Sequence, residues 1–192
     1  IIDRLHAHNL KDIYISVHYK GDIIREYFEK TINNTINVKF LEENEPLGTA
    51  GCLSLLKNKE ITSPIVIING DVLTDINYSE LINYHNESNK QITVCASFYD
   101  IQIPFGTMEI DNDKLINITE KPIKKYLINA GIYVINSNII NELETNKKID
   151  MTDLISNAIR KESVGIFPMH EKWLDIGNHE NYDKACLLYT SP

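Results

Sequence analysis

Cysteine is scarce in this chain. Cys52, Cys95 and Cys186 are the only three, and none stands at metal-ligand spacing from another. A disulfide-stapled scaffold is thereby excluded, and a reducing cytoplasm is the expected compartment. Cys52 and Cys95 lie in apolar surroundings and read as small core residues. Long apolar runs are also missing: nothing approaches the roughly 18–20 residues of a membrane span. No basic-then-apolar leader opens the chain, so neither membrane insertion nor export is expected. Positive charge is short as well. A formal net charge of −8 argues against a nucleic-acid backbone as partner, though single nucleotides can still be held by backbone amides, a few cations and a metal. The six histidines are scattered, with no HxH or HExxH pattern.

What remains is ordinary globular material. The chain has 192 residues, 43% of them hydrophobic and 24% charged, enough for one domain with a sizeable core. Its elements alternate. Residues 1–10 read as a helix with Ile1, Ile2, Leu5 and His6 on one face, 12–19 as a buried strand, and 21–30 as a helix with Ile23, Ile24, Tyr27 and Phe28 inward. A short strand at 38–41, a helix opened by a Gly-Thr turn at 48–56, a strand at 65–68 and a helix at 78–85 continue the series. Such βαβα order implies a parallel sheet with helices on both faces. After Gln91 the pattern turns β-rich. Strands are expected at 92–99, 106–110 and 115–119, the last two joined as a hairpin through Asp111-Asn112-Asp113. A strand at 132–135, a helix at 151–161 capped by Asp150, and strands at 164–167 and 173–176 close the chain.

The strongest local signal is Asn69-Gly70-Asp71 after the β-branched run Ile65-Val66-Ile67-Ile68. It sets a carboxylate at the carboxyl end of a buried strand, the edge where open α/β sheets bind ligands. A second carboxylate, Asp175, lies far downstream in Trp173-Leu174-Asp175-Ile176-Gly177. Two such groups brought together could hold one divalent cation against phosphate oxygens. Taken singly, Asp71 could equally cap the following turn. Two further motifs stand in order with these: Pro46-Leu47-Gly48-Thr49-Ala50-Gly51, whose glycines permit close backbone approach to a base or phosphate, and Glu120-Lys121-Pro122. Glu120 can accept from sugar hydroxyls and Lys121 supplies a point charge for phosphate. Asn129-Ala130-Gly131 offers an amide and unhindered backbone beside a strand. Each motif alone also fits a structural role, as helix start, solvated charge pair or strand entry. Trp173, the lone Trp, fits a buried aromatic.

The ordered set, with Pro104-Phe105-Gly106 and the run 129–134, resembles the sugar-phosphate nucleotidyltransferase family. That family includes mannose-1-phosphate guanylyltransferases and glucose-1-phosphate thymidylyltransferases, and the likeness is strongest to its bacterial branch. The resemblance covers about residues 1–185 and implies a Rossmann-like, GT-A-like three-layer α/β sandwich with a mostly parallel central sheet and a small antiparallel hairpin. It also implies Mg²⁺-dependent transfer of a nucleotide from an NTP, GTP before dTTP, to a sugar-1-phosphate, with release of pyrophosphate. By the same resemblance Leu47, Gly48, Thr49 and Gly70 match nucleotide-binding positions. Gly106, Glu120, Asn129 and Gly131 match positions facing the sugar, Lys121 the lysine reaching its phosphate, and Asp71 and Asp175 the metal carboxylates.

The family's glycine-rich phosphate loop and first strand are expected upstream of Ile1, so this stretch by itself is expected to have negligible activity. Cys186 to Pro192 reads as translated transposon-adapter sequence rather than native chain. Two other classes stay open. One is a non-catalytic nucleotide-sugar-binding or regulatory protein on the same fold. The other is a GT-A glycosyltransferase, for which Asp111-Asn112-Asp113 supplies an Asp-x-Asp. A homo-oligomer is possible on either reading.

Overall fold

The computed structural model describes residues 1–31, 36–57, 59–61 and 64–190. Helix α1 (Ile2–Ala7) leads into strand β1 (Asp12–Val17), helix α2 (Gly21–Thr31) and strand β2 (Asn37–Glu42). A short helix α3 (Gly48–Gly51) runs into a 3₁₀ turn at Cys52–Leu56, followed by β3 (Ile65–Ile68), β4 (Val72–Thr74), α4 (Tyr78–Ser88) and β5 (Ile92–Gln102). The hairpin β6 (Thr107–Asp111) and β7 (Lys114–Thr119) precedes the long β8 (Ile123–Ile135). Then come α5 (Asn138–Glu142), α6 (Met151–Ile159), β9 (Val164–Pro168), β10 (Trp173–Asp175) and α7 (His179–Thr190). Helix α7 thus continues through most of the 186–192 segment, whose last two residues lie outside the described ones.

The central sheet has the order β3-β8-β5-β9. Strands β3, β5 and β9 share one direction, and β8 runs against them. Strand direction is therefore mostly parallel, as expected, but two of the three pairings are antiparallel because β8 is threaded into the middle. β1 and β2 form a separate parallel pair, Asp12 opposite Asn37 through Val17 opposite Glu42.

Alternation along these strands builds the layers. Successive side chains of a strand point to opposite faces. Ile65 and Ile67 of β3, Val94 and Ile92 of β5, and Tyr133 and Ile135 of β8 join a cluster with Ala50, Leu53, Leu56, Ile139, Leu143 and Met151, so α3, α5 and α6 cover that face. Val66 and Ile68, Cys95, and Ile132 and Val134 join Leu5, Tyr78, Leu81 and Trp173, so α1, α4 and β10 cover the other. Both faces are buried, which is why these strands read as continuous apolar runs. The result is the three-layer sandwich.

Three local expectations are corrected. Ile23 and Tyr27 of α2 stand exposed while Ile24 and Phe28 are half-buried, with Phe28 against Phe40. The helix lies over the two-stranded β1–β2 pair, which is too small to cover a broad apolar stripe. β8 begins at Ile123, well before the expected 132, because the β5–β8 ribbon extends past the buried sheet into solvent, where no apolar run marks it. Asp150 does occupy the N-cap of α6, but its carboxylate makes no capping bond to that helix. No helix among the described residues is long and apolar enough to cross a membrane.

Candidate active site

At the end of β3 the chain turns through Asn69-Gly70-Asp71 directly into β4. The turn is held by Asn69 N–H donating to the Gly131 carbonyl (2.9 Å) and Val72 N–H donating to the Asn69 carbonyl (3.2 Å). β4 pairs antiparallel with β10, Val72 opposite Asp175, and Ile176 N–H donates to the Asp71 carbonyl at 2.8 Å. The register therefore delivers both aspartates to the same end of one ribbon. Their carboxylates converge beside Gly177. A Cβ placed on that glycine would lie 2.9 Å from Asp175 Oδ1 and 3.2 Å from Asp71 Oδ2. Asp175 Oδ1 also accepts from Gly177 N–H at 2.7 Å.

Asp71 is exposed and Asp175 half-buried, and neither forms an ion pair among the described residues. A divalent cation beside Gly177 would have an oxygen of each aspartate within reach. Hard oxygen donors suit Mg²⁺, which is typically held by one or two carboxylates plus substrate phosphates and water. Among the described residues no group of three His, Cys, Asp or Glu could hold a metal. The residues fit a cation completed by ligand oxygens rather than an all-protein cage.

The 129–131 segment packs on this ribbon. Its Ala130 and Gly131 fall in a bulge of β8, where the register to β5 shifts between Val94, opposite Tyr133, and Ala96, opposite Asn129. Trp173 Nε1–H donates to the Ala130 carbonyl at 2.8 Å, which ties β10 to the bulge. Gly131 has φ +70, and a Cβ there would come within 2.8 Å of Asn69 Nδ2, so only glycine fits the turn against its neighbour. Asn129 accepts from Gly131 N–H (3.0 Å) and donates through Nδ2 to Tyr133 Oη (2.8 Å). The 129–131 segment is thus joined to the Asn69–Asp71 turn and to β10.

Gly106 and Glu120 meet at the base of the β6–β7 hairpin, where Thr107 opposes Thr119. A Cβ on Gly106 would be 3.0 Å from Glu120 Oε2. Lys121 is exposed, with φ 45, between β7 and β8. Asp111-Asn112-Asp113 sits at the far tip of this hairpin, exposed, with Asn112 Nδ2 donating to Asp111 Oδ1. No strand of the central sheet leads into it.

Leu47, Gly48 and Thr49 form the turn into α3. Leu47 is buried and its N–H donates to Glu43 Oε2 at 2.8 Å. Gly48 has φ +75, and the space beside it is filled by the chain itself: a Cβ would lie 2.5 Å from Asp150 Oδ1 and 2.7 Å from the Ile149 carbonyl. The close approach that these glycines permit is thus to the 147–150 segment. Sequence reasoning quoted Asn69 and Gly177 within their motifs and took Asp150 for a helix cap, but gave none of the three, nor Glu43, a part in the site. Gly177 was available in the Trp-Leu-Asp-Ile-Gly run and Glu43 lies only four residues before its partner Leu47, whereas the long-range partner of Asp150 leaves no local mark.

The nucleotidyl transferase family profile matches residues 1–191. A mannose-1-phosphate guanyltransferase of Yarrowia lipolytica is 28% identical over 198 residues, an alignment covering 99% of this chain and 54% of that enzyme. The Schizosaccharomyces pombe protein of the same name is 26% identical over 200 residues, again 99% and 54%. The chain therefore spans about half the length of the curated relatives it matches. Among solved structures, HddC from Yersinia pseudotuberculosis complexed with GMP-PN superposes with a TM-score of 0.75 at 25% identity, over 98% of this chain and 83% of HddC. A putative glucose-1-phosphate thymidylyltransferase from Bacillus anthracis, 20% identical with a TM-score of 0.74 over 100% of this chain and 81% of its own, shares the fold.

Proposed function

We propose, from the premise that this chain belongs to the nucleotidyl transferase family, that its gene product transfers a nucleotide from an NTP to a sugar-1-phosphate, releasing pyrophosphate. The observation that carries the reading is the convergence of Asp71 and Asp175 on one point beside Gly177. A bound Mg²⁺ would supply charge neutralisation for the crowded phosphate oxygens. The chain's own part is positional. Asp71 and Asp175 fix where the α-phosphate sits, and the 129–131 bulge with Glu120 orients the sugar hydroxyls. Lys121 offers a charge to the sugar phosphate, and the Leu47–Thr49 turn with Gly70 seats the nucleotide. Neither aspartate needs to remove a proton, because a sugar phosphate is already an anion at pH 7 and attacks through its own oxygen. Holding that oxygen in line with phosphorus supplies most of the remaining acceleration.

GTP is the proposed donor and dTTP the second choice. The names of the fungal relatives and the GMP-PN bound by HddC support guanine. The test is pyrophosphate release by the full-length gene product over a matrix of NTPs and sugar-1-phosphates. Turnover is expected only with a divalent cation and best with GTP. Metal-independent turnover, or none with any pair, would contradict the reading.

A further inference from the structure

Asp150 looks from sequence like the cap of its own helix, and its backbone has the extended N-cap geometry, φ −89 and ψ 153. Its carboxylate points elsewhere. Asp150 Oδ1 accepts from Thr49 N–H at 3.4 Å, while Thr49 Oγ1 accepts from Met151 N–H at 2.8 Å. The two helix starts therefore exchange caps: α6 lends a carboxylate to α3, and α3 lends a hydroxyl to α6. Ile149 completes the join. Its carbonyl accepts from Ala50 N–H and Gly51 N–H, both at 2.9 Å, and its N–H donates to the Leu47 carbonyl at 2.9 Å.

Every amide from Thr49 to Gly51 is thus satisfied by residues 149 and 150, so this helix start has no spare N–H to offer a phosphate. Gly48 and Gly51 are small because the 147–150 segment lies where their side chains would be. The segment that seats the nucleotide in the proposed reaction is consequently held from outside, by Ile149 and Asp150 just ahead of α6.

We infer that Asp150 is a positioning residue for the nucleotide subsite: through Thr49 it fixes the Leu47–Gly51 turn in the shape that receives the base, without touching substrate. This rests on the nucleotidyl-transfer reading. A subsite formed beforehand loses less freedom on binding than one ordered by its ligand. Losing the Asp150 contact should therefore weaken nucleotide binding and leave the chemical step alone.

The test uses Asp150→Ala and Asp150→Asn in the full-length gene product. For Asp150→Ala the KM for the NTP should rise about fivefold, as for loss of one exposed charge-assisted bond. The kcat and the KM for the sugar-1-phosphate should stay within about twofold, the range of an unaffected step. Asp150→Asn keeps an accepting oxygen and should restore most of the loss. Amide hydrogen exchange of Thr49, Ala50 and Gly51 should quicken in the alanine variant, with exchange in β8 unchanged. An unchanged NTP KM with unchanged exchange would overturn the inference, as would a fall in kcat with both KM values shifting together. If the wild type turns over no pair of substrates, the reaction reading fails by itself, and the exchange measurement still decides whether Asp150 holds the turn.

Discussion

Asp71 and Asp175 can be tested apart from the fold, because both reach the surface of the ribbon and neither forms an ion pair among the described residues. Replacing either with asparagine keeps shape and removes the charge that a hard cation needs. Asp71→Asn and Asp175→Asn should each lower metal-dependent turnover by about 10²–10³-fold, the scale of losing an electrostatic contact to the transition state. Urea midpoints should shift little. Gly177→Ala is the sharper probe. Its methyl would enter the space between the two carboxylates and touch little else, so cation affinity should fall while thermal stability holds. A variant that bound Mg²⁺ normally would show that the cation lies elsewhere. At this scale the sequence marked Asp71 by the β-branched run ahead of Asn69-Gly70 and Asp175 by the short apolar segment around it, though Asp71 taken singly fits a turn cap equally well. Asp150 was misread, since an Asp before a helix looks the same whether its side chain caps that helix or another. The local spacing that signals a cap carries no information about which amide it meets.

Strands β4 and β10 are three residues each, yet they decide where the two carboxylates sit. Their antiparallel register, Trp173 opposite Thr74 through Asp175 opposite Val72, is what makes two distant aspartates neighbours. So short a ribbon is not stable by itself, and it is anchored by the buried Val72 and by the Trp173 bond to Ala130. Trp173→Phe keeps the aromatic packing but leaves the carbonyl of the buried Ala130 without its donor. A loss of about 1–3 kcal/mol is expected, read by urea unfolding. Turnover should fall by more than stability alone explains, because β10 also aims Asp175. If activity stayed intact, the ribbon would not be what sets the carboxylate. The sequence announced β3, whose four apolar residues are bounded by turn signals, but not β4, which is too short for periodicity to show. It also hid the length of β8, since its exposed outer half, Ile123–Leu127, is patterned for solvent.

The molecule's two apolar clusters, one on each face of the central sheet, account for the perturbed titrations. Burial, and then Glu171, pushes the Cys95 thiol from 9.0 to about 12. Burial likewise pushes the Tyr78 hydroxyl from 10.0 to about 12 and raises Tyr133 and Cys52. All are acids kept neutral by folding. In the unfolded chain they ionise at their ordinary values, so their contribution is complete below about pH 9 and is lost as pH rises toward the folded values. The urea midpoint should therefore decline between about pH 9 and about pH 12, and Cys95→Ala should flatten that decline. Sequence composition foretold two small core cysteines. It could not say that Cys52 would be only half-buried, because that depends on how the 3₁₀ turn seats beside β2. The sandwich as a whole was readable from alternation of elements, whereas the reversed β8 was not, since direction within a sheet is set by connections rather than by strand composition.

These scales meet in one place, the point beside Gly177 that both carboxylates reach. Anomalous scattering from crystals of the full-length gene product grown with Mn²⁺ and a non-hydrolysable GTP analogue would locate the cation directly. A single peak is expected, bonded to both Asp71 and Asp175 and to a nucleotide phosphate at about 2.0–2.3 Å, the range for hard divalent ions on oxygen. A peak held by the nucleotide alone, or by only one of these aspartates, would contradict the account.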